Sequence, residues 1–424
     1  MMSVLHNLAR SRRAGGPAGI TSVCSAHPIV IRAALRHAIR REAPVLIEAT
    51  CNQVNQFGGY TGLKPRDFVA LVEQIASDEG LPREKVILGG DHLGPNPWRG
   101  EPAEVAMAKA EDMIAAYVEA GFRKLHLDTS MGCAGEPAAL DDALTAERAV
   151  RLAAVAERRA VFAGGTAPVY VIGTEVPPPG GAHHLITALE PTGVDAARRT
   201  IALHRLQFEE AGLGEAFRRV LALVVQPGVE FGNENIIVYD RTKARPLSEL
   251  LAEEPALVYE AHSTDYQGAE ALRQLVEDGF AILKVGPELT FALREALYGL
   301  DLIASDCVPG YPHRNLMAVI EALMREDPRH WRGHYHGSEA EQHILRHYSY
   351  SDRIRYYWNH AAAEAAVSQL TEALDKRIIP APLFRQHLPH LVRYAGGPLD
   401  PRQLLIDAVQ AVLDQYQSAH ERNR

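Results

Sequence analysis

Asp91 and His92 stand side by side in GGDHLGPNPW (residues 89–98), directly after a β-branched apolar run. A carboxylate next to an imidazole can supply two functional groups from one strand end. In extended chain the two side chains point to opposite faces, so one can bind a metal while the other faces a substrate. The two glycines before them let the backbone approach a neighbour closely. His262, in VYEAHSTDYQ (residues 258–267), offers a second metal-binding imidazole. It is followed by Ser263 and Asp265, which bring a hydroxyl and a further carboxylate. PGVEFGNEN (residues 227–235) adds Glu230 as a candidate third ligand. Two histidines and one or two carboxylates on a rigid frame suit zinc or another divalent cation. The blander alternatives are a glycine-rich turn capped by an Asp and a buried neutral His satisfied by backbone.

Other polar residues fall at similar places. Asp128 and Ser130 end the run KLHLDTS, and Glu175 ends PVYVIGTE. After Glu175 come three prolines and the pair Gly180–Gly181, whose backbone N–H groups can face an anion such as phosphate. Lys284 lies inside the apolar run AILKVG and is a better phosphate-binding candidate than Arg241 or Lys243, which read as solvated surface. His330, His334 and His336 have no spacing that forms one helix face, so a solvated loop is the preferred reading there. Tyr348, Tyr350, Tyr356, Tyr357 and Trp358 read as packing residues.

Eight apolar runs must position these groups, at residues 19–24, 44–50, 86–91, 124–129, 168–175, 221–226, 256–262 and 281–286. Their near-continuous hydrophobicity predicts strands covered on both faces, as in a parallel sheet. Between them lie helical segments. Residues 103–121, for example, place Val105, Met107, Met113, Ile114, Tyr117 and Val118 largely on one side and stop at Gly121. Eight βα units over residues 1–300 predict a TIM (β/α)8 barrel, with a doubly wound open sheet as the competitor. The polar strand ends would then converge on one mouth. Residues 301–424 read as an appended helical region that covers the mouth or joins copies into a homo-oligomer.

The chain of 424 residues has 44 Lys+Arg against 53 Asp+Glu, a net charge of −9, which argues against a nucleic-acid binder. No stretch has the ~18 consecutive apolar residues of a spanning helix. The N-terminal arginines precede no apolar signal core. Cys24, Cys51, Cys133 and Cys307 lie far apart without a C-x-x-C pair, so neither disulfides nor a zinc knuckle is expected. A cytoplasmic protein is the resulting expectation.

The order Asp-His after strand three, Glu after strand five and His after strand seven resembles the class II, metal-dependent aldolases. The segments ITSVCSAHP, EATCNQVNQFGGYTG, GGDHLGPNPW, LDTSMGC, IGTEVPPPGG, VEFGNENI, YEAHSTDYQ, LKVGPELTFALREAL and SYSDRIRYYW resemble more closely the Z, or non-catalytic, subunit family of tagatose-1,6-bisphosphate aldolase, over nearly the whole chain. The resemblance implies that Asp91 carries a proton, that His92 and His262 bind metal, and that Glu175 is an auxiliary carboxylate. Two departures stand out. The catalytic aldolases have a second His after strand six, where this chain offers Glu230. Their glycine-rich phosphate segment after strand seven reads His262-Ser263-Thr264-Asp265 here, and their strand-eight Asn is Gly286. A ketohexose or ketohexose phosphate is the implied substrate. The implied roles are an aldolase subunit with retro-aldol chemistry between C3 and C4, a 4-epimerase acting alone, or an accessory partner of a separate catalytic aldolase subunit. A kinase is not indicated, because no G-x-x-x-x-G-K-[ST] loop is present.

Overall fold

The computed structural model describes residues 3–15, 19–162, 165–174 and 189–420. Glu175, Gly180 and Gly181 lie outside the described residues. Eight parallel strands close into a barrel: β1 (Ile20–Cys24), β2 (Val45–Thr50), β3 (Val86–Leu93), β4 (Lys124–Leu127), β5 (Val169–Ile172), β6 (Val220–Val224), β7 (Val258–Ala261) and β8 (Phe280–Val285). Each pairs with its sequence neighbour, and Ile20 opposite Ile282 joins β1 to β8. The eight apolar runs are these eight strands, so the closed TIM-type barrel is observed and the open sheet is not. Every residue of β3 and β8 is buried, as expected of strands with side chains inside the barrel and helices outside.

The floor of the barrel is apolar. Ile20, Leu46, Ile87, Val169, Leu221 and Val258, all near the starts of their strands, form one cluster with Leu5 and Leu8 of the N-terminal helix Ser3–Arg13. That helix closes the strand-start end, with Arg12 donating to the carbonyl of Leu251 at 3.1 Å. Polar chemistry is left to the layers above.

Helices surround the strands. In Ala103–Ala120 the residues Met107, Met113, Ile114, Tyr117 and Val118 are buried. Gly121 ends this helix with φ 103°. Val105 departs from the expected face and is 45% exposed; two residues, about 200° of rotation, separate it from Met107. The last helix, Pro401–Ala419, lies against both Pro28–Arg41 and Gly268–Glu277, so the end of the chain fills the place between the first and seventh βα helices. Gln410 donates to the carbonyl of Ala33 at 3.2 Å, and the Tyr416 hydroxyl donates to that of Thr264 at 2.8 Å. The helix after β8, Pro287–Cys307, packs on this last helix and on Asn315–Glu326, Ala361–Leu374 and Ala381–His387. Among the described residues no helix is long and apolar enough to cross a membrane.

Burial holds His27, His204, His347 and His420 at pKa values of about 4. A lowered folded pKa means that unfolding takes up protons below the ordinary value of about 6.5, so stability is full above that pH and falls as pH drops toward 4. Each such histidine contributes up to about 1.4 kcal/mol per pH unit in that window. Chemical denaturation should show lower stability at pH 5 than at pH 7, with a shallower slope in His204→Leu. Equal stability at both pH values would contradict the neutral burial of these rings.

Candidate active site

Above the floor, the barrel interior holds charges that no soluble core tolerates unpaired. Glu48 on β2, Asp91 on β3, Lys124 and His126 on β4, Glu260 on β7 and Lys284 on β8 are all buried. Lys124 Nζ lies 2.6 Å from Glu48 Oε1 and 2.6 Å from Glu260 Oε2. Lys284 Nζ lies 2.8 Å from Asp91 Oδ1 and 3.5 Å from Glu260 Oε1, and pairs with Glu48 as well. Gly89 makes the room: a Cβ on it would come within 2.4 Å of Glu48 Oε1. Gly89 thus admits a carboxylate of the neighbouring strand, while Gly90 makes room for Leu93 and Tyr117.

Three imidazoles stand on this cage. The rings of His92, His126 and His262 have centroids 4.7 to 5.2 Å apart. Each has one nitrogen on a carboxylate: His92 Nδ1 is 2.7 Å from Asp128 Oδ2, His126 Nδ1 is 2.9 Å from Asp91 Oδ1, and His262 Nε2 is 3.2 Å from Glu260 Oε1. We assign the His126 proton to Nδ1, because an ionised carboxylate only accepts and the His92 backbone N–H has its own acceptor in Asp91 Oδ1 at 2.9 Å. A carboxylate on one nitrogen fixes ring orientation and tautomer and leaves the other nitrogen for a metal. His126 Nε2 is fully buried and has no hydrogen-bond partner among the described residues.

Asp91 and His92 do not point to opposite faces. The pairing of β3 with β4 shifts register between Gly90 and Leu93, and His92 has φ 49°. This irregularity turns both side chains inward, leaving His92 Nε2 3.7 Å from Asp91 Oδ2.

The charges settle one another. Burial opposes ionisation of Asp91, but His92, Lys284 and the His126 hydrogen bond hold its pKa well below the carboxylate range. Burial likewise opposes the charge on Glu260, which Lys124 and Lys284 restore. Burial lowers His262 to about 3, so it stays neutral and can serve as a ligand. His92 moves the other way, because Asp91 and Asp128 outweigh its burial.

The remaining sequence-derived candidates fall around this centre. Asp128 accepts from Ser130 Oγ at 2.8 Å, so both serve the orientation of His92. Glu230 lies in a short hairpin, Glu230–Phe231 with Ile236–Ile237, where it accepts from the Phe231 N–H at 3.0 Å and contacts Ser263. Burial raises its pKa to about 7. Asp265 Oδ1 accepts from the backbone N–H groups of Gly286 (3.0 Å) and Glu288 (2.8 Å), which fixes the start of the helix after β8. Ser263 and Asp265 also line the cavity described below. Lys284 directs its ammonium to the carboxylates of the cage.

The sequence reading missed Glu48, Lys124, His126 and Glu260. A signal was present: each is an ionisable residue inside an otherwise apolar strand, the same feature that singled out Lys284. His330 stacks on Tyr356 with centroids 4.7 Å apart, and the candidate metal clusters among the described residues include none of His330, His334 and His336.

A cavity of about 620 Å³ opens over the cage, touching Asp91, His92, His262 and Lys284. Its far wall comes from the segment after the barrel, including Arg355, Tyr356 and Trp358. Asn233 anchors that segment: its backbone oxygen accepts from Tyr350 N at 2.9 Å, and its Oδ1 accepts from Ser349 and Ser351 Oγ at 3.0 and 3.1 Å.

The donor set fits a divalent cation. Potential ligand atoms of Asp91, His126, Glu260 and His262 all lie within 4.8 Å of one another. Formally, Lys124 and Lys284 face three carboxylates, Glu48, Asp91 and Glu260, which leaves one negative charge for a cation to offset.

A family model described as D-tagatose-1,6-bisphosphate aldolase subunit GatZ/KbaZ-like matches residues 5–421. A protein of Agrobacterium fabrum (strain C58) named D-tagatose 6-phosphate 4-epimerase is 59% identical over 419 residues, 99% of each chain. A crystal structure from Sinorhizobium meliloti 1021, titled a probable tagatose 6 phosphate kinase, superposes with a TM-score of 0.86 at 58% identity, covering 95% of this chain and 100% of that one.

Removing one member of a buried ion cluster leaves its partners uncompensated. Lys124→Met should therefore lower unfolding free energy by roughly 3–5 kcal/mol in urea titration. A change within about 0.5 kcal/mol, ordinary for a surface site, would show that Lys124 does not balance Glu48 and Glu260.

Proposed function

The chain belongs to the D-tagatose-1,6-bisphosphate aldolase subunit GatZ/KbaZ-like family, and we propose that it acts alone as a metal-dependent 4-epimerase of ketohexose phosphates. The observation that carries this reading is the set of three carboxylate-anchored imidazoles beside Asp91, all within one chain, with Asp91, His92 and His262 open to one cavity and His126 buried behind them. The high identity to a protein named for that activity supports it.

His92, His126 and His262 are the ligands we favour, with zinc the metal suited to three imidazole nitrogens. Bound there, a divalent cation would polarise the ketose carbonyl at C2 and lower the cost of negative charge on the carbon fragment next to it. Asp91 supplies the proton transfer. Its Oδ1 already receives His92 N, His126 Nδ1 and Lys284 Nζ, whereas Oδ2 has only long contacts, from the Cys24 thiol at 3.8 Å and His92 Nε2 at 3.7 Å, so Oδ2 is the oxygen we assign to the substrate. Oδ2 takes the proton of the C4 hydroxyl. The C3–C4 electron pair then passes to C3 and C2 as an enediolate, and O4 becomes an aldehyde oxygen. If the aldehyde turns over before leaving, re-addition forms C3–C4 on its opposite face, and Asp91 returns the proton to O4. No oxidant or reductant is consumed, and only the configuration at C4 changes. Glu230, poised at about 7, is a second group able to exchange protons near Ser263.

The family description favours one other reading, in which the chain serves as a subunit beside a separate catalytic aldolase. In both readings the substrate is a ketose phosphate, and a homo-oligomer is compatible with either.

Purified protein alone, incubated with tagatose 6-phosphate or fructose 6-phosphate and followed by NMR, should interconvert the C4 epimers. A chelator should abolish turnover and zinc should restore it. Asp91→Asn should reduce kcat by at least about 100-fold, the range of a lost general base. Inactivity alone with activity regained on adding a catalytic aldolase would overturn the epimerase in favour of the subunit.

A further inference from the structure

Four strongly basic side chains reach the cavity wall: Arg32, Lys284, Arg355 and Arg402. Two of them are already neutralised. Arg32 pairs with Glu79 and, at 3.3 Å, with Asp78, while Lys284 is held in the carboxylate cage. Arg402 is exposed on the last helix. Arg355 differs from all three, because it is half-buried in the wall and pairs with no carboxylate among the described residues.

Its surroundings keep it that way. Nη1 donates to the carbonyls of Ser351 and Asp352, the latter at 3.2 Å, and Nη2 donates to the Tyr356 hydroxyl at 3.0 Å. The guanidinium carbon also lies 4.6 Å from the centre of the Tyr356 ring. The nearest acid in sequence, Asp352, has turned its carboxylate to Arg294 Nε at 2.7 Å and Thr290 Oγ1 at 2.6 Å. Arg353 adds a second cation that pairs with no carboxylate among the described residues, donating instead to the His330 carbonyl at 2.8 Å. Tyr60 lies against Tyr356 with ring centroids 4.5 Å apart, and also lines the cavity.

A half-buried guanidinium whose neighbouring carboxylate, Asp352, is bonded to other groups gains from an anion that completes its donors. Its planar fork of N–H donors matches a phosphate, and the tyrosine hydroxyls beside it can add donors to the same anion. We propose that Arg355, backed by Tyr60 and Tyr356, holds the phosphate of a ketose phosphate whose reacting carbons lie at Asp91 and His262 in the same cavity. The phosphate is then gripped by the segment that follows the barrel. This deepens the epimerase reading and rests on it for the identity of the sugar.

The test has an arm that needs no turnover. Calorimetry with inorganic phosphate should detect binding to the wild-type protein, weakened about tenfold or more in Arg355→Gln and less in Arg355→Lys, which keeps a charge but loses the fork. In turnover, Arg355→Gln should raise KM for the ketose 6-phosphate about tenfold or more, while kcat/KM for the unphosphorylated ketose changes less than about twofold. A purely structural Arg355 would impair both sugars alike, and that result overturns the proposal. So does unchanged phosphate affinity in the variants, or absence of phosphate binding in the wild type. If Arg355→Gln loses its folded circular dichroism signal, Arg355→Lys decides by the same two readouts. If no sugar turns over, loss of phosphate binding in the variants still supports the subsite while the epimerase fails.

Discussion

Lysines and carboxylates cannot share a dry barrel interior unless each charge finds an opposite one, and that constraint organises this molecule. Lys124 bridges Glu48 and Glu260, and Lys284 reaches Glu48, Glu260 and Asp91. The network joins strands from opposite parts of the ring. It also fixes the carboxylates on which the imidazoles hang: Asp91 orients His126, and Glu260 orients His262. Replacing the whole set by apolar residues could make an equally stable barrel. What it would lose is the fixed direction of three imidazoles and one carboxylate, which is the precondition of chemistry at a metal.

The same arrangement divides labour along the barrel axis. Strand starts other than that of β4, which opens on Lys124, are apolar and are plugged by the N-terminal helix. Strand ends are charged and open to a cavity, which agrees with the general placement of activity at the C-terminal face of such barrels. The irregularity in β3 belongs to this division. A regular strand would send Asp91 and His92 to opposite faces, and the bulge brings both to the mouth.

The segment after the barrel belongs to the site as much as the strands do. Asp352 pairs with Arg294 and Thr290 on the helix after β8, and Asn233 ties Ser349, Tyr350 and Ser351 to the loop after β6. These bonds hold Arg355, Tyr356 and Trp358 over the cavity. The last helix, Pro401–Ala419, then returns to the barrel wall, as the helix Ser3–Arg13 closes its floor.

Much of this was legible in the sequence. The eight strands follow from the runs of apolar, β-branched residues, since hydrophobic patterning is a local property that each segment carries by itself. Asp91, His92 and His262 stood out because polar residues at strand ends converge once a barrel is granted. The pairing of charges was not legible. Lys284 meets Glu48 across 236 residues of chain, and nothing near either one names the other. Whether His126 is a packed histidine or a candidate ligand, and whether Arg355 is surface or cavity wall, depends on which groups surround it. Sequence alone therefore determined the barrel and the end at which its polar residues gather. Tertiary structure alone decided which charges neutralise one another and which are left for a ligand, because desolvation and Coulomb energy depend on distance in space and not on separation along the chain.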